Sequence, residues 1–469
     1  MALRVAIVGA GPAAFYTVEA LLAHGDARAD TCRDTHGDLG RDVEIDIIER
    51  LPTPYGLIRA GVAPDHQSTK RVAQKFERMA LERAVRFFGN VEVGRDVSLD
   101  ELRRSYDAVV LAVGSPGDRA LGIPGENRPG VYGSSLFVGW YNGHPDFRGL
   151  DPVVAGPVAV VVGNGNVALD VARILVMSEA ELAASDTPDY AVRTLRPAGI
   201  EEVLIVGRRG PAEARFANAE LRELLDLDEA VAVADPADLP DTLAIADERE
   251  RRRVEKNLAL FRRFAAHTGR EKPKRIRFRF FAAPVAILGD GAAAGIRLEA
   301  LAPKDGRVAG NGRFEDVACR TIVTAIGYRC RPLAGVPFDA TRGLIPSADG
   351  RVETGLYVVG WAKRGPVGVI SSNRPDGEAC AAQIRADAEP GKKPGRQALA
   401  RLLAERGVRP VSFADWHAID QAEVAAARPP APRKKFTTLA EMLAILDHPV
   451  KAADDAGGGD ESRKEEVSE

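Results

Sequence analysis

Two glycine-rich turns, each directly after a short run of apolar, largely β-branched residues, constrain this 469-residue chain more than any other feature. The run Val5–Val8 leads into Gly9-Ala10-Gly11-Pro12-Ala13-Ala14, and the run Val158–Val162 leads into Gly163-Asn164-Gly165-Asn166-Val167-Ala168. Both turns read G-x-G-x-x-A and open a segment with helical periodicity. In such a unit the first glycine makes the tight turn, the second admits a pyrophosphate, and the small third residue packs the helix on the strand. Two copies predict two dinucleotide sites, formed around Gly9, Gly11, Pro12, Ala13 and Ala14, and around Gly163, Asn164, Gly165, Asn166 and Val167.

The residues at the ends of the following strands predict which dinucleotide each site takes. Val43–Ile48 ends at Glu49, whose carboxylate can accept hydrogen bonds from ribose hydroxyls and would repel a 2′-phosphate. Val203–Val206 is followed by Gly207 and then by Arg208 and Arg209, which could bind a 2′-phosphate. We therefore expect FAD at the first site and NADP(H) at the second. The alternative is that these are ordinary surface charges.

Both acceptor positions lie farther from their glycines than the usual spacing of about 20 residues. Polar insertions at roughly His24–Asp42 and Ser178–Glu202 would account for the excess.

Composition excludes several classes of protein. Hydrophobic residues make up 45% of the chain and charged residues 28%, with a formal net charge of −3, which favours neither nucleic acid nor a membrane surface. No apolar run reaches the ~20 residues of a membrane span. The four cysteines form no C-x-x-C, so we expect no disulfide framework and no metal or iron–sulfur site. The first strand begins too early for a signal peptide, so we expect a cytoplasmic protein.

Apolar strands alternate with helical segments along the chain, which predicts an α/β fold with parallel sheets. Ala108–Val113 runs into Gly114, and Thr321–Ile326 runs into Gly327, so each closes one nucleotide-binding unit. The strand at Leu356–Trp361 resembles a late element of the first unit. We predict two Rossmann-like domains, the NADP domain being inserted in the FAD domain: residues 1–115 (FAD, first part), 116–327 (NADP), 328–450 (FAD, second part, with a helical extension) and 451–469 (a disordered tail).

Several longer segments resemble the adrenodoxin-reductase-like ferredoxin–NADP⁺ reductases, over roughly residues 3–380 and more weakly to about 450. Pro52–His66 is similar to that family's flavin-ring loop, Phe137–Asn142 to its interdomain connection, Val206–Pro211 to its NADP site and Gly360–Ile370 to its closing flavin segment. Tyr55, Gln67 and Pro375 depart from the residues frequent in the family. The resemblance implies an FAD-dependent enzyme that passes a hydride from NADPH to FAD and single electrons to a ferredoxin.

The resemblance also assigns residues. It places His66, Glu220 and Trp361 near the flavin and nicotinamide rings, His66 and Glu220 as proton carriers or as structural hydrogen-bonding groups. Asp170 is expected to order the NADP loop. Backbone N–H groups of the segment 368–370 would face the flavin. The further residues expected to contact a cofactor are Arg50, Tyr55, Gly56, Leu57, Val62, Gly114, Gly368, Val369 and Ile370.

A ferredoxin partner is usually acidic, so a basic docking face is expected. The segment from Arg249 to Arg279 is rich in cations, and part of it is our candidate, although charge runs on exposed helices are usually only solvated. The cations are Arg251, Arg252, Arg253, Lys256, Arg262, Arg263, Lys272, Lys274, Arg275, Arg277 and Arg279. A cytochrome P450 is one possible terminal acceptor, and a monomer or weak dimer is expected.

Four other protein classes share parts of this pattern. Flavin disulfide reductases need paired thiols, which the cysteine pattern does not provide. The glutamate synthase small subunit has the same two-domain plan but carries an N-terminal cysteine cluster. A flavin monooxygenase or oxidase, and a flavin-binding redox sensor without enzymatic activity, stay open as alternatives.

Overall fold

Two six-stranded sheets form the framework of the molecule. The computed structural model describes residues 2–23, 43–304 and 307–447. The predicted insertion at 24–42 and the predicted tail at 451–469 lie outside the described residues. The strands, in chain order, are β1 (Leu3–Val8), β2 (Val43–Ile48), β3 (Val85–Phe88), β4 (Ala108–Leu111), β5 (Gly117–Asp118), β6 (Val131–Gly133), β7 (Val158–Val162), β8 (Glu202–Val206), β9 (Ala230–Val233), β10 (Lys274–Arg279), β11 (Ala282–Leu288), β12 (Gly295–Lys304), β13 (Arg307–Ala318), β14 (Thr321–Thr324), β15 (Tyr328–Arg329), β16 (Arg351–Glu353) and β17 (Leu356–Val358).

Helices connect most of these strands. In chain order they are α1 (Pro12–Ala23), α2 (Leu57–Ala60), α3 (Gln67–Lys70), α4 (Ala73–Ala80), α5 (Leu99–Ser105), α6 (Ser134–Tyr141), α7 (Asn166–Val176), α8 (Glu179–Ala183), α9 (Asp189–Leu195), α10 (Asn218–Glu223), α11 (Glu248–Ala265), α12 (Trp361–Arg364), α13 (Arg374–Asp387), α14 (Arg396–Glu405), α15 (Phe413–Ala425) and α16 (Leu439–Asp447). Short 3₁₀ helices occupy Pro145–Phe147, Pro236–Asp238 and Ile370–Asn373.

The first sheet has the strand order β16-β17-β4-β1-β2-β3 and is parallel except for β16. The second has the order β6-β14-β7-β8-β10-β9 and is parallel throughout. β17 returns to the first sheet after the second is complete and pairs Leu356 with Val109 of β4. In chain order, the segment that forms the second sheet is therefore inserted between strands of the first sheet, which confirms the predicted fold class.

Both sheets are buried on two faces, which explains the unbroken apolar runs that identify their strands. On the first sheet, Val5 and Ile7 of β1 face the side covered by α1 and α13, and Ala6 and Val8 face the side covered by α5 and α14. On the second sheet, one face packs against α7 and α11. The other face is covered by the small antiparallel sheet β11-β12-β13.

The predicted strands agree with the observed ones within a few residues. β2 and β7 match the predicted bounds, whereas β4, β14 and β17 each end two or three residues earlier than predicted. They end early because the chain there leaves the sheet to approach a glycine turn. The predicted polar insertion at 178–202 contains two short helices, α8 and α9. The domain limits at 115/116 and 327/328 stay predictions.

Candidate active site between two dinucleotide-binding turns

The first glycine turn lies at the carboxyl end of the first sheet. Gly9 has φ +101°, and a Cβ there would lie 2.5 Å from the carbonyl oxygen of Ala112, so only glycine fits. A Cβ on Gly11 would meet nothing within 4 Å, so its backbone is open to a ligand. Pro12 begins α1, and the buried Ala14 packs this helix against the sheet. The turn thus presents open backbone at Gly11, and the pyrophosphate site predicted there stays a prediction.

The loop after β2 crosses over this turn. Tyr55 donates its backbone N–H to the Ala10 carbonyl at 2.8 Å. Tyr55 has φ +79°, and a Cβ on Gly56 would lie 3.1 Å from the Gly11 Cα. Leu57 begins α2 with its side chain 45% exposed. The backbone of the loop therefore lies against one side of the first turn, and the cofactor contacts predicted for Tyr55, Gly56, Leu57 and Val62 stay predictions.

Glu49 is fixed by backbone N–H groups on both carboxylate oxygens. Oε2 accepts from Ala10 at 2.9 Å and Oε1 from Leu51 at 3.1 Å. Burial raises the pKa of Glu49, although both backbone bonds act in the opposite direction. The neighbouring Arg50 makes two hydrogen bonds to Asp146, at 2.9 and 2.7 Å, so its guanidinium joins the two nested units.

The closing segment from Gly360 to Ile370 lies against the start of α1. A Cβ on Gly360 would lie 2.7 Å from the Ala13 Cβ. The Trp361 ring is 5.8 Å from the Tyr328 ring. Gly368, with φ +89°, precedes a 3₁₀ turn that continues into α13, as the predicted helix start at this point requires. The Val369 N–H already donates to Ser372 Oγ at 3.0 Å, so this one N–H is not free for the flavin. Gly114, with φ +67°, has open space beside it.

The second glycine turn repeats the geometry of the first. Gly163 has φ +148°, and a Cβ there would lie 2.3 Å from the Ala325 carbonyl oxygen, whereas Gly165 borders open space. Asn164 accepts the Arg215 N–H at its carbonyl oxygen at 2.8 Å. Asn166, the first residue of α7, accepts the Ala217 N–H on Oδ1 at 2.7 Å.

These bonds hold the loop 207–217 beside the turn. Arg208 and Arg209 follow β8 on this loop, and both are exposed. Neither guanidinium has an ion-pair partner within the described ranges, so both charges are available to a ligand. The side chain of Val167 is half-buried on the first turn of α7.

A charged cluster is formed where the loop containing His66 meets α7 and α10. His66 Nε2 lies 2.7 Å from Glu223 Oε2, and His66 Nδ1 lies 3.9 Å from Asp170 Oδ1. Arg173, with a side chain only 4% exposed, pairs with Asp65, donates to Asp170 at 3.0 Å and lies 3.4 Å from Glu223. Three carboxylates therefore surround one arginine and one imidazole.

Burial and the neighbouring charges shift the pKa values of the residues in this cluster. Burial alone would lower the pKa of His66, but the hydrogen bond to Glu223 and the nearby aspartates outweigh it, so the pKa is raised. Burial raises the pKa of Asp170 to about 6 against the opposing charges of Arg173 and His66. Burial also acts to raise the pKa of Glu223, but the bond from His66 lowers it overall. The pKa values of His66 and Asp170 are therefore both raised, whereas the pKa of Glu223 is lowered.

The roles predicted for Glu220 and Asp170 stay predictions, and the structure adds Glu223 to the acids near His66. The acid bonded to His66 is Glu223, which lies one helical turn after Glu220 on α10. Glu220 is half-buried, and its Oε2 is enclosed without a hydrogen-bond partner among the described residues. Asp170 contacts Arg173, and no hydrogen bond joins it to the glycine turn in the described part of the chain. The sequence carries no signal that separates Glu223 from Glu220, because both follow Arg208 and Arg209 on the same short helix.

The cations on β10 pair with a buried acid, whereas those on α11 lie on an exposed helix. On β10, Arg275 and Arg277 form ion pairs with the buried Glu202, at 2.5 and 2.7 Å. One buried carboxylate thus pairs with both arginines, and the hypothesis that part of the cationic segment docks a ferredoxin stays a prediction. On α11, the arginine and lysine side chains other than Arg253 are exposed, although Arg251, Arg252 and Arg253 each pair with a glutamate of the same helix. A shallow cavity of about 470 Å³ there is lined by Asn218, Glu248, Arg249, Arg252, Arg253 and Lys256.

Comparison with known proteins identifies the relatives of this chain. The pyridine nucleotide-disulphide oxidoreductase family matches residues 3–226. The NADPH-ferredoxin reductase FprA of Mycobacterium leprae is 43% identical over 459 residues, which cover 94% of this chain and 98% of the relative. The mitochondrial NADPH:adrenodoxin oxidoreductase of Homo sapiens is 41% identical over 475 residues, which cover 95% and 92%.

A solved structure agrees with these sequence relatives. Mycobacterium tuberculosis FprA in complex with NADPH superposes with a TM-score of 0.87 at 41% identity and covers 95% of this chain and 99% of that one. None of the helices in the described ranges is long and apolar enough to cross a membrane. The extent and identity of these matches confirm the resemblance seen in the sequence. The chain belongs to the family of the NADPH-ferredoxin reductases and NADPH:adrenodoxin oxidoreductases.

Proposed function

We propose that this protein is an FAD-dependent reductase that takes electrons from NADPH and passes them singly to an acidic ferredoxin. The observation that carries the proposal is the pair of glycine turns: their backbones are alike, but the strand ends beside them carry opposite charge. Glu49 suits the free ribose hydroxyls of FAD, and Arg208 with Arg209 suits the 2′-phosphate of NADPH. The relatives' names agree with this pair of activities.

FAD fits the first site on the geometry of the chain itself. Gly11 borders open space, and Gly56 approaches it so closely that a side chain on Gly56 would press on the turn. The loop and the turn thus form a cradle of bare backbone, as a pyrophosphate needs. When bound there, FAD would accept an electron pair from NADPH and release the electrons one at a time.

The remaining chemistry belongs to side chains of this protein. We assign the closing segment at 360–370 to one side of the flavin site, which it would cover. Trp361 and Tyr328 would screen the ring-binding part of this site from water. Hydride transfer delivers one proton together with two electrons, and this proton stays behind when the electrons leave singly to a ferredoxin. His66 can hold it on its imidazole, supported by Glu223 and Asp170. Glu220, with its enclosed free oxygen, stays our second candidate for this role.

The exposed face of α11 around the 470 Å³ cavity is our proposed ferredoxin surface. Arg249 and Lys256 have no ion-pair partner among the described residues, so they add positive potential there. Arg253 is less suitable as a contact residue, because it lies 3.4 and 3.3 Å from the Ala214 and Phe216 carbonyls and is held by Glu250. An acidic carrier would be steered to this face at low ionic strength.

The test is NADPH-driven cytochrome c reduction with and without ferredoxin at two salt concentrations, with the variants R249E/R252E and R262E/R263E. Both double variants change the charge of α11 equally, but Arg262 and Arg263 lie outside the cavity lining. We expect R249E/R252E to raise the ferredoxin KM roughly tenfold at low salt, and less at high salt because ions screen the contact. Equal effects of both variants would remove the cavity from the docking surface. NADPH oxidation by the wild-type protein that is indifferent to ferredoxin would instead favour a monooxygenase or oxidase.

Three finer features belong to the same proposal. They are a location in the cytoplasm, a monomeric or weakly dimeric state, and a ferredoxin that feeds an acceptor such as a cytochrome P450. Sedimentation of the purified protein tests the oligomeric state directly.

A further inference from the structure

The C-terminal extension folds back across both nested units. Its helix α15 packs on the flavin-site loop, where the Trp416 ring lies 6.1 Å from the Tyr55 ring and 5.1 Å from the Arg59 guanidinium. The segment 428–438 that follows, called here the strap, runs from α15 to α16. The strap lies beside loops of the first and the second sheet.

Lys435 is the residue of the strap that reaches both units. Its side chain is 2% exposed. Nζ donates to the Arg59 carbonyl at 3.1 Å in the first unit and to the Asn142 carbonyl at 3.0 Å at the end of α6. Nζ also pairs with Asp186 Oδ1 at 2.9 Å, between α8 and α9. Three acceptors from three segments thus satisfy the three donors of one ammonium group.

Asp186 extends this contact to the loop that carries His66. Its two carboxylate oxygens each accept from Lys70 Nζ at 2.7 Å, and its N–H donates to the Pro64 carbonyl at 3.1 Å. Lys70 is the last residue of α3 and donates its own N–H to the His66 carbonyl at 3.1 Å. Lys435, Asp186 and Lys70 therefore form a buried triad between the strap, the second unit and the His66 loop.

A second buried carboxylate fastens the strap to α15. The side chain of Glu423 is fully buried, pairs with Arg59 and Arg433 and accepts the Phe436 N–H at 2.7 Å. Its backbone carbonyl accepts the Lys434 N–H at 2.9 Å. These bonds fix the backbone around Lys435 without involving the second unit. Within the strap, the buried contact with the second unit is therefore made by the Lys435 side chain; the Lys70–Asp186 pair and the exposed Lys434–Asp189 pair lie beside it.

We propose that Lys435 is a positioning residue, which sets the orientation of the nicotinamide unit relative to the flavin unit during hydride transfer. This inference rests on the proposed function. Lys435 itself touches no cofactor position identified above. Its effect is exerted through Asn142 and Asp186 on the distance between the two rings, and small errors in such a distance reduce transfer rates strongly.

The test compares K435M with K434M in anaerobic stopped-flow reduction of the bound flavin by NADPH. Methionine keeps the aliphatic stem but removes the charge and the three donors. Lys434 is the matched control, because it is the adjacent residue and its only ion pair among the described residues is an exposed one with Asp189 at 3.3 Å. We expect K435M to retain FAD and to bind NADPH within about threefold of wild type. Its flavin reduction rate at saturating NADPH should fall roughly ten- to a hundredfold, whereas K434M should match wild type.

The outcomes separate the inference from the proposed function. A K435M rate per bound flavin equal to that of K434M would overturn the positioning role, as would a loss of rate that only follows loss of FAD. A wild-type flavin that NADPH does not reduce would overturn the proposed function itself. If K435M does not fold, D186N decides, since it keeps an acceptor but removes the charge shared by the triad; an unchanged reduction rate in D186N would contradict the inference.

Discussion

The two glycine turns share a backbone but differ in the side chains beside them. An added Cβ at Gly9 or Gly163 would collide with a carbonyl oxygen just after the adjacent strand of the sheet, at 2.5 and 2.3 Å respectively. The second glycine of each turn faces open space. Beside the first turn, Glu49 is immobilised by two backbone N–H groups, whereas Arg208 and Arg209 beside the second are exposed. We therefore predict that pyrophosphate binding depends on the backbone of the turns and cofactor choice on a few side chains.

The largest effect on stability should come from a substitution that the backbone conformation of the first turn cannot accommodate. Gly9→Ala places a Cβ against the Ala112 carbonyl at a positive φ, and we expect it to lower the free energy of unfolding by roughly 2–4 kcal/mol. Gly11→Ala is the matched control, because its Cβ meets nothing within 4 Å. It should leave the stability of the FAD-free protein unchanged while weakening FAD binding. Thermal unfolding of FAD-free protein and flavin titration separate the two effects; equal destabilisation by both would contradict the steric account.

A second prediction concerns the cluster between the two turns. Folding raises the pKa of Asp170 from an ordinary 3.8 to about 6, which corresponds to roughly 3 kcal/mol. The folded state therefore binds this proton more tightly, and the associated stability is present below about pH 4 and lost as the pH rises to about 6. Asp170→Asn cannot titrate, so its stability relative to wild type should improve over this range. Denaturant unfolding at pH 4, 5, 6 and 7 measures the difference; a constant difference would show that Asp170 does not titrate there.

A third prediction sharpens the contrast in cofactor choice. Arg208→Ala removes one charge-assisted phosphate contact and should weaken NADPH binding by about 1.5–3 kcal/mol, roughly ten- to a hundredfold. NADH lacks the 2′-phosphate, so its affinity should hardly change. Arg222→Ala, an exposed arginine on α10, is the control for loss of one positive charge. Titration of each variant with both nucleotides tests this, and equal losses for NADPH and NADH would exclude the 2′-phosphate role.

The sequence predicts the framework well because the framework depends on local patterns. Strands buried on both faces are continuous apolar runs, and the turns need glycine at fixed offsets, so the positions of β1, β2, β7 and β8 follow from the sequence alone. The nested order follows from the late strand at 356–361. The predicted ends of β4, β14 and β17 are less accurate, because the chain leaves the sheet there for contacts that are distant in sequence.

The candidate site is predictable only in part. The glycines and the strand-end residues Glu49, Arg208 and Arg209 follow from offsets within single units. Glu223 does not, since its bond to His66 joins residues 157 positions apart. The pairing of the cations on β10 also depends on tertiary contacts, because Glu202 lies on the strand next to β10.

The amino-acid sequence by itself determined the two dinucleotide turns, the nested α/β order and the charges that distinguish the two sites, because each depends on neighbouring residues and on strand or helix period. Only the tertiary structure decided which acid partners His66, which cations stay free and where the C-terminal extension lies. Those features depend on burial, since Arg173 and Asp186 keep their charges in the interior only where opposite charges from distant segments meet them.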